Sequence, residues 1–290
     1  MIHYLQTIYS NRQGYEHLAE LAKATVKLRA SRLELDFSRV QFFDANMAAP
    51  LGSVLARIVD RLNGVEIVNV PPLIERVLRK NGFLTNYRYP VWDGSSGTTI
   101  PYLRLQKTDE VAFEAYLQKH LKGKGIPQMS EGLGKVFKQK IYEVFQNAVM
   151  HSESTVGIFI CGQFFPQQQR LDLTIADAGI GIRENVRRYF HDTKIPSVPA
   201  IRWALQEGHT TKKGKQPGGL GLKFLHDFAR LNKGRIQIAS RFGFYEFDAG
   251  TESFAKMSSD FTGTAVTIEV NTADTAAYRL SSEVSTEDIF

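Results

Sequence analysis

A chain of 290 residues, 43% hydrophobic and 23% charged, has the composition of a folded protein with a proper core, in one large domain or two ordinary ones. The net charge of +6 is scattered over clusters at residues 119–124, 135–140 and 212–215, with no base-contacting helix or aromatic platform, which argues against nucleic acid. The single cysteine, Cys161, excludes an internal disulfide and a cysteine metal cluster; without a signal-peptide pattern or a run near the ~18 apolar residues that cross a bilayer, no membrane and a cytoplasmic location are expected.

Residues 15–27 carry a helical apolar rhythm in Leu18, Leu21, Ala22 and Val26, and residues 32–37 alternate as a strand. Residues 44–62 read as a helix burying Leu51, Val54, Leu55, Ile58 and Leu62, with Pro50 tolerable only near its first turn. A short strand at 65–70 precedes Pro71 and Pro72, which open a helix stopped by Gly82. Helix–strand–helix–strand–helix is a small α/β layer structure. Residues 85–108, with Pro90, Gly94, Ser95, Ser96, Gly97 and Pro101, lack sustained periodicity and read as a connection, with a short strand at 102–105.

Asp109 is placed to cap a helix at 111–121, and after Gly123, Gly125 and Pro127 a second helix runs over 131–151. A strand-like apolar run at 156–161 follows. In residues 170–182, RLDLTIADAGIGI, Leu171, Leu173 and Ile175 alternate as a half-buried strand that ends in Asp177. Gly179 and Gly181 let the backbone turn sharply and pass close to a bound group. A weakly periodic stretch leads to Gly218, Gly219 and Gly221 at the start of a helix carrying Leu222, Leu225, Phe228 and Leu231, stopped by Gly234. Residues 235–240 and 264–270 alternate as strands, and 242–247 is an aromatic-rich third, with a hairpin-like excursion to Gly263. Neighbouring strands able to pair antiparallel predict an α+β sandwich with helices on one face of a mixed sheet.

Glu143, Asn147 and His151 stand at i, i+4 and i+8, on one face of the long helix. An amide oxygen there can ligate Mg²⁺, a hard ion that usually also holds phosphates. A carboxylate one turn earlier can orient a nucleophile for attack on a phosphoryl group. An ordinary polar stripe would show the same spacing. Glycines at the start of the 222–231 helix expose unpaired N–H groups at the positive end of its dipole, an anion site. Lys212, Lys213 and Lys215 lie just before it, able to fold over a triphosphate. Asp177 is suited to accept a hydrogen bond from an amino group in a pocket.

The order ExxxNAxxH, DxGxGI, GGLGL, then GT before a strand, resembles the GHKL ATP-binding superfamily over roughly residues 109–270. That resemblance implies a Bergerat-type sandwich binding ATP and Mg²⁺. It implies Glu143 as general base, Asn147 as Mg²⁺ ligand and Asp177 as acceptor for the adenine amino group. Gly179 and Gly181 would shape the adenine pocket, and Gly219, Leu220 and Gly221, with Lys212, would contact phosphates. Thr264 would help hold adenine through water, and the lid would span about 183–217. The helix motif is most similar to anti-sigma-factor serine kinases and sensor kinases. His120 lacks the acidic neighbour of a histidine-kinase phosphoacceptor.

Residues 33–84 resemble the STAS domain of anti-sigma-factor antagonists, in a strand, then Phe42-Phe43-Asp44 opening a helix, then a strand and a helix. Asn46 stands where that family has its phosphoacceptor serine, and an amide cannot take a phosphoryl group in that way. Ser53, more than one helical turn on, is no obvious substitute. The expected organisation is a STAS-like domain at 1–90, a connection at 91–108, the ATP-binding domain at 109–272 and a tail at 273–290. Function is expected to be that of a Mg-ATP-dependent ATPase or protein kinase, with a protein partner on the STAS-like half and room for a homodimer. The alternative is a nucleotide-gated binding switch with little hydrolysis, and Glu143 discriminates, since a pure binder has no need of that carboxylate.

Overall fold

The first half of the chain alternates short strands and helices: β1 (Ile2–Tyr4), α1 (Arg12–Ala24), β2 (Arg32–Asp36), α2 (Ala48–Asp60), β3 (Gly64–Val68) and α3 (Pro72–Lys80). The computed structural model describes residues 1–94, 97–206, 208–209 and 220–283, and of 220–222 the backbone alone. β1, β2 and β3 pair in that order as a parallel sheet. Asn11 caps α1 by accepting from the Gly14 N–H, and Pro50 falls at the third residue of α2, where no intrahelical donor is missing.

The second half contributes β4 (Thr99–Leu105), α4 (Glu110–Leu121), α5 (Glu131–His151), β5 (Ile158–Phe165), β6 (Arg170–Asp177), α6 (Gly181–Phe190), α7 (Ser197–Ala204), α8 (Leu220–Asn232), β7 (Arg235–Asp248) and β8 (Thr251–Asn271). Its sheet has the order β4-β5-β6-β8-β7 and is antiparallel throughout, not mixed. The protein is thus mixed α+β, with one five-stranded antiparallel and one three-stranded parallel sheet. Residues 242–247 continue β7 and do not form a separate strand. The β7–β8 hairpin closes through Ala249 (φ 47°) and Gly250 (φ 92°), two left-handed residues whose twist matches the paired strands. At the end of α8 it is Lys233, at φ 56°, that takes the left-handed turn. Gly234 is needed for a different reason: a Cβ there would lie 2.3 Å from the Glu269 carbonyl oxygen.

The two faces of the five-stranded sheet are both covered. Leu171, Leu173 and Ile175 of β6 pack with Phe137, Ile141 and Val144 of α5 and Leu225 and Phe228 of α8. The opposite face, with Phe159, Ala176, Phe244, Met257, Phe261 and Ala265, shares one core with Leu18, Leu51, Leu55 and Leu35 of the first half. Tyr15 of α1 sets its ring 5.6 Å from Phe261 and 5.9 Å from Phe244. α2 is buried almost all round, as a helix between two sheets must be. Where α2 meets β4, a Cβ on Gly52 would lie 2.4 Å from the Tyr102 hydroxyl, so any larger residue would make that ring move. Helices therefore cover both faces of this sheet, where the sequence predicts one. The stretch read as a connection supplies β4, an edge strand of the sheet. Residues beyond β8 bridge back to the start of α5, where the Ser130 N–H donates to the Tyr278 carbonyl at 2.9 Å.

β6 is consequently buried on both faces, not half-buried. Its alternate residues Asp172 and Thr174 face the first half through a polar seam. The Asn46 amide donates to Ser10 Oγ at 3.0 Å and Thr174 Oγ1 at 2.9 Å, Tyr15 and Thr267 share a 2.8 Å hydroxyl contact, and Arg170 reaches Asp44 at 3.1 Å. Asp172 is fully buried; neither carboxylate oxygen has a hydrogen-bond partner among the described residues, and Arg170 lies 3.5 Å away. Burial, then the neighbouring Glu269 charge, pushes its pKa well above the usual carboxylate range.

A group whose folded pKa lies above its unfolded value binds an extra proton in the native state, so stability is present at low pH and lost as pH rises through the folded pKa. Asp177, pushed up to about 7 by burial, acts in the same direction. The melting temperature should therefore fall between about pH 4 and pH 8, each such carboxyl removing at most about 1.4 kcal/mol of stability per pH step of one. Asp172→Asn, neutral at every pH, should flatten that decline. Thermal melts across the range check this; a wild type that gains stability over the same interval contradicts it.

Candidate functional site

The strand that places Asp177 also fixes the loop behind it. The Gly179 N–H donates to Asp177 Oδ1 at 2.8 Å, and the Thr264 N–H also supports the carboxylate. An ionised carboxylate can accept about four hydrogen bonds, so acceptor capacity remains for a donor in the pocket. Three glycines allow this packing. A Cβ on Gly179 would meet the Ser152 carbonyl oxygen at 1.8 Å, and one on Gly263 (φ 104°) the Asp177 carbonyl oxygen at 2.1 Å. Gly181 turns at φ 78° to start α6, against Arg241 and Gly263. From the first half, Arg57 of α2 donates to the Ala178 carbonyl at 2.6 Å, tying α2 to this loop.

Asp177 and Asn147 line one cavity of about 140 Å³ between α5 and the sheet. Its walls are mainly apolar, with Val144, Ile175, Ile238 and Val266 against the few polar groups, the usual make-up of a small-molecule site. Gly181 and Thr264 also line it, as does His151. Thr264 Oγ1 is held 3.0 Å from Ser240 Oγ, which accepts from the Ile182 N–H at 2.9 Å, so the threonine is coupled to the first turn of α6. Burial is the main cause of the raised Asp177 pKa; the Gly179 and Thr264 N–H groups oppose it.

Other expected residues lie elsewhere. Glu143 does not line the cavity; it sits one turn before Asn147 on α5, half-buried and paired with Lys140 Nζ at 2.6 Å. Gly179 supports the carboxylate from behind. Leu220 and Gly221 begin α8. Lys212 and Gly219 fall outside the described residues, as does most of the 207–219 stretch. Among the described residues no group of three or more His, Cys, Asp or Glu could hold a metal ion. The Asn147 amide oxygen in the cavity wall is a donor of the hard type that Mg²⁺ takes.

Residues 183–204, expected to belong to a lid, form most of α6 and α7, and bring Asn185, Val186 and Trp203 to the cavity. His209 stacks on Trp203 at 4.8 Å and its Nδ1 lies 3.0 Å from the Trp203 carbonyl. Ile182 and Val186 are the i, i+4 signal that identifies α6 from sequence, but exposed Tyr189 and Phe190 blur its apolar stripe.

In the first half, Asn46 is fully buried under the sheet, and Ser53, also fully buried, donates to the Pro50 carbonyl at 2.8 Å. Comparison with protein-family models and with curated proteins finds no match to this chain. No helix among the described residues is long and apolar enough to cross a membrane.

Proposed function

We propose that the chain is a Mg-ATP-binding protein of the GHKL type, its second half a Bergerat-type sandwich and its first half a STAS-like module. The observation that carries this reading is the meeting of Asp177 and Asn147, from β6 and α5, in one mainly apolar cavity, with the carboxylate buried and held by two backbone N–H groups. Asp177 accepts from the adenine amino group, Thr264 helps hold the base through water, and Gly181 shapes the pocket. Asn147 would supply an amide oxygen to Mg²⁺, an ion that would offset phosphate charge there. Glu143 is the general base for attack on the γ-phosphorus, with Lys140 its partner in the resting state. Lys212, Gly219, Leu220 and Gly221 are assigned to the phosphates. The activity is that of an ATPase or protein kinase, with a protein as partner of the STAS-like module.

The second reading, a nucleotide-gated switch with little hydrolysis, is favoured by one observation: Glu143 is engaged by Lys140 and stands outside the cavity. Incubation with γ-labelled ATP and Mg²⁺, following label into water, the chain itself or an added protein, separates the two. Mass mapping of the same sample should find no phosphate on residues 44–52. Asn46 there is an amide, and the neighbouring Ser53 hydroxyl is buried and engaged. Phosphate at Ser53 would contradict the account of this half.

A further inference from the structure

A second cleft lies where α3 and the turn after it meet β4 and α4, with a volume of about 620 Å³. Five of its lining residues are basic: Arg79, Lys80, Arg104, His120 and Lys124; no lining residue carries a carboxylate. Arg79 pairs with Glu75 at 3.4 Å, within its own helix and outside the cleft. Lys80 has no ion-pair partner among the described residues, and Lys124 is 8% exposed with a backbone carbonyl, that of Gly97, as its acceptor. Burial lowers the Lys124 pKa, the mark of a cation short of compensating charge.

The apolar part of the cleft is equally defined. Trp92 lies under Arg79 and Lys80, 5.7 and 5.3 Å from its ring centre, and Pro101, Tyr102 and Leu103 of β4 continue the wall. The Trp92 Nε1–H is buried with no acceptor among the described residues. Arg104 also donates its Nε–H to the Val156 carbonyl at 2.7 Å and lies over the Phe159 ring, so its engagement is with a neutral acceptor and a ring, and an anion entering the cleft does so without first breaking a carboxylate pair inside it. Arginine matches phosphate in a fork, and lysine adds a point charge. The volume falls in the range of small-molecule sites, and a mixed polar and apolar wall fits a molecule with an apolar body.

We propose that this cleft binds a small organic phosphate, its phosphate among Lys80, Arg104 and Lys124 and its apolar body against Trp92 and the β4 wall. The site is separate from the nucleotide cavity and does not depend on that cavity's assignment. It joins α3 of the first half to β4 and α4 of the second, so its ligand bridges the two halves.

The two tryptophans give each site its own reporter, because Trp92 lines this cleft and Trp203 the nucleotide cavity. In a full-length Trp203→Phe chain, titration with phenyl phosphate should change Trp92 emission saturably, while phenol should not. Lys80→Gln, which removes a cation without an ion-pair partner, should weaken half-saturation at least tenfold. Arg104→Gln, checked for folding by its melt, should do the same. Asp177→Asn should leave this titration unchanged, and Lys80→Gln should leave ATP binding unchanged, so failure of one site does not imply failure of the other. No saturable change, an equal response to phenol, or an unaffected Lys80→Gln titration would overturn the proposal.

Discussion

Replacing Glu143 by alanine should leave ATP bound and cut turnover by about 10²–10⁴-fold, the usual contribution of a positioned base. The reason is spatial. Asn147 and Asp177 line the cavity and Glu143 does not, so its loss removes neither the proposed metal ligand nor the proposed adenine acceptor. Its main link is to Lys140, whose ammonium is then released to solvent on the same helix. Asn147→Ala should behave differently, weakening ATP in the presence of Mg²⁺ and far less without it, because the amide oxygen that would hold the ion is lost. Steady-state turnover and binding with and without Mg²⁺ check the pair. Equal loss of ATP in both mutants, regardless of Mg²⁺, would reduce α5 to scaffolding. A wild type with no turnover, matched by Glu143→Ala, would leave the switch reading.

A fragment of residues 97–283, carrying the whole five-stranded sheet and its motifs, should not fold as a soluble monomer. Deleting the first half uncovers Phe159, Phe244, Met257 and Phe261, all buried at present against α1, α2 and their surroundings. Exposing four such side chains costs about 1.5–3 kcal/mol each, roughly 6–12 kcal/mol in sum, against the ~5–15 kcal/mol that holds a typical protein together. The buried Asp172 and Thr174 would also lose the layer that now covers them. Expression of the fragment with a scanning melt decides the point, and a cooperative transition from a monodisperse monomer would contradict it. The first half is part of the sheet's core.

Local signals are legible where a cap or a period acts over a few residues. The bounds of α5 are readable at 131–151 because Ser130 caps it, its hydroxyl accepting from the Leu133 N–H at 3.1 Å. β6 is readable from its alternation, but not the fact that its polar face is buried. Thr174 finds its amide partner in Asn46, 128 positions away, and such a pairing leaves no periodic trace. The same limit shortens β4: the strand read at 102–105 begins at Thr99, because the ladder with β5 reaches back past Pro101. Of the site, the positions of Asp177, Asn147, Gly181 and Thr264 follow from motif order; Ser240, Asn185 and Trp203 do not, because their roles arise only when α6 and α7 close the cavity. Glu143 shows the converse: its helix spacing is as read, yet a lysine three residues before it decides where its carboxylate points.

Recognition of adenine by the Asp177 carboxylate is tested by calorimetric titration of wild type and Asp177→Asn with ATP and GTP at pH 8. At that pH the carboxylate, pushed up to about 7, is mainly ionised and able to accept from an amino group. Asparagine keeps the shape and an oxygen for the Gly179 N–H but turns a donor toward the base. Wild type should bind ATP in preference to GTP, and the substitution should weaken ATP by about 1.5–3 kcal/mol, the worth of a hydrogen bond to a charged group, while the melt shows the fold intact. Equal affinity for ATP and GTP in wild type, or unchanged ATP binding in the variant, would contradict the account.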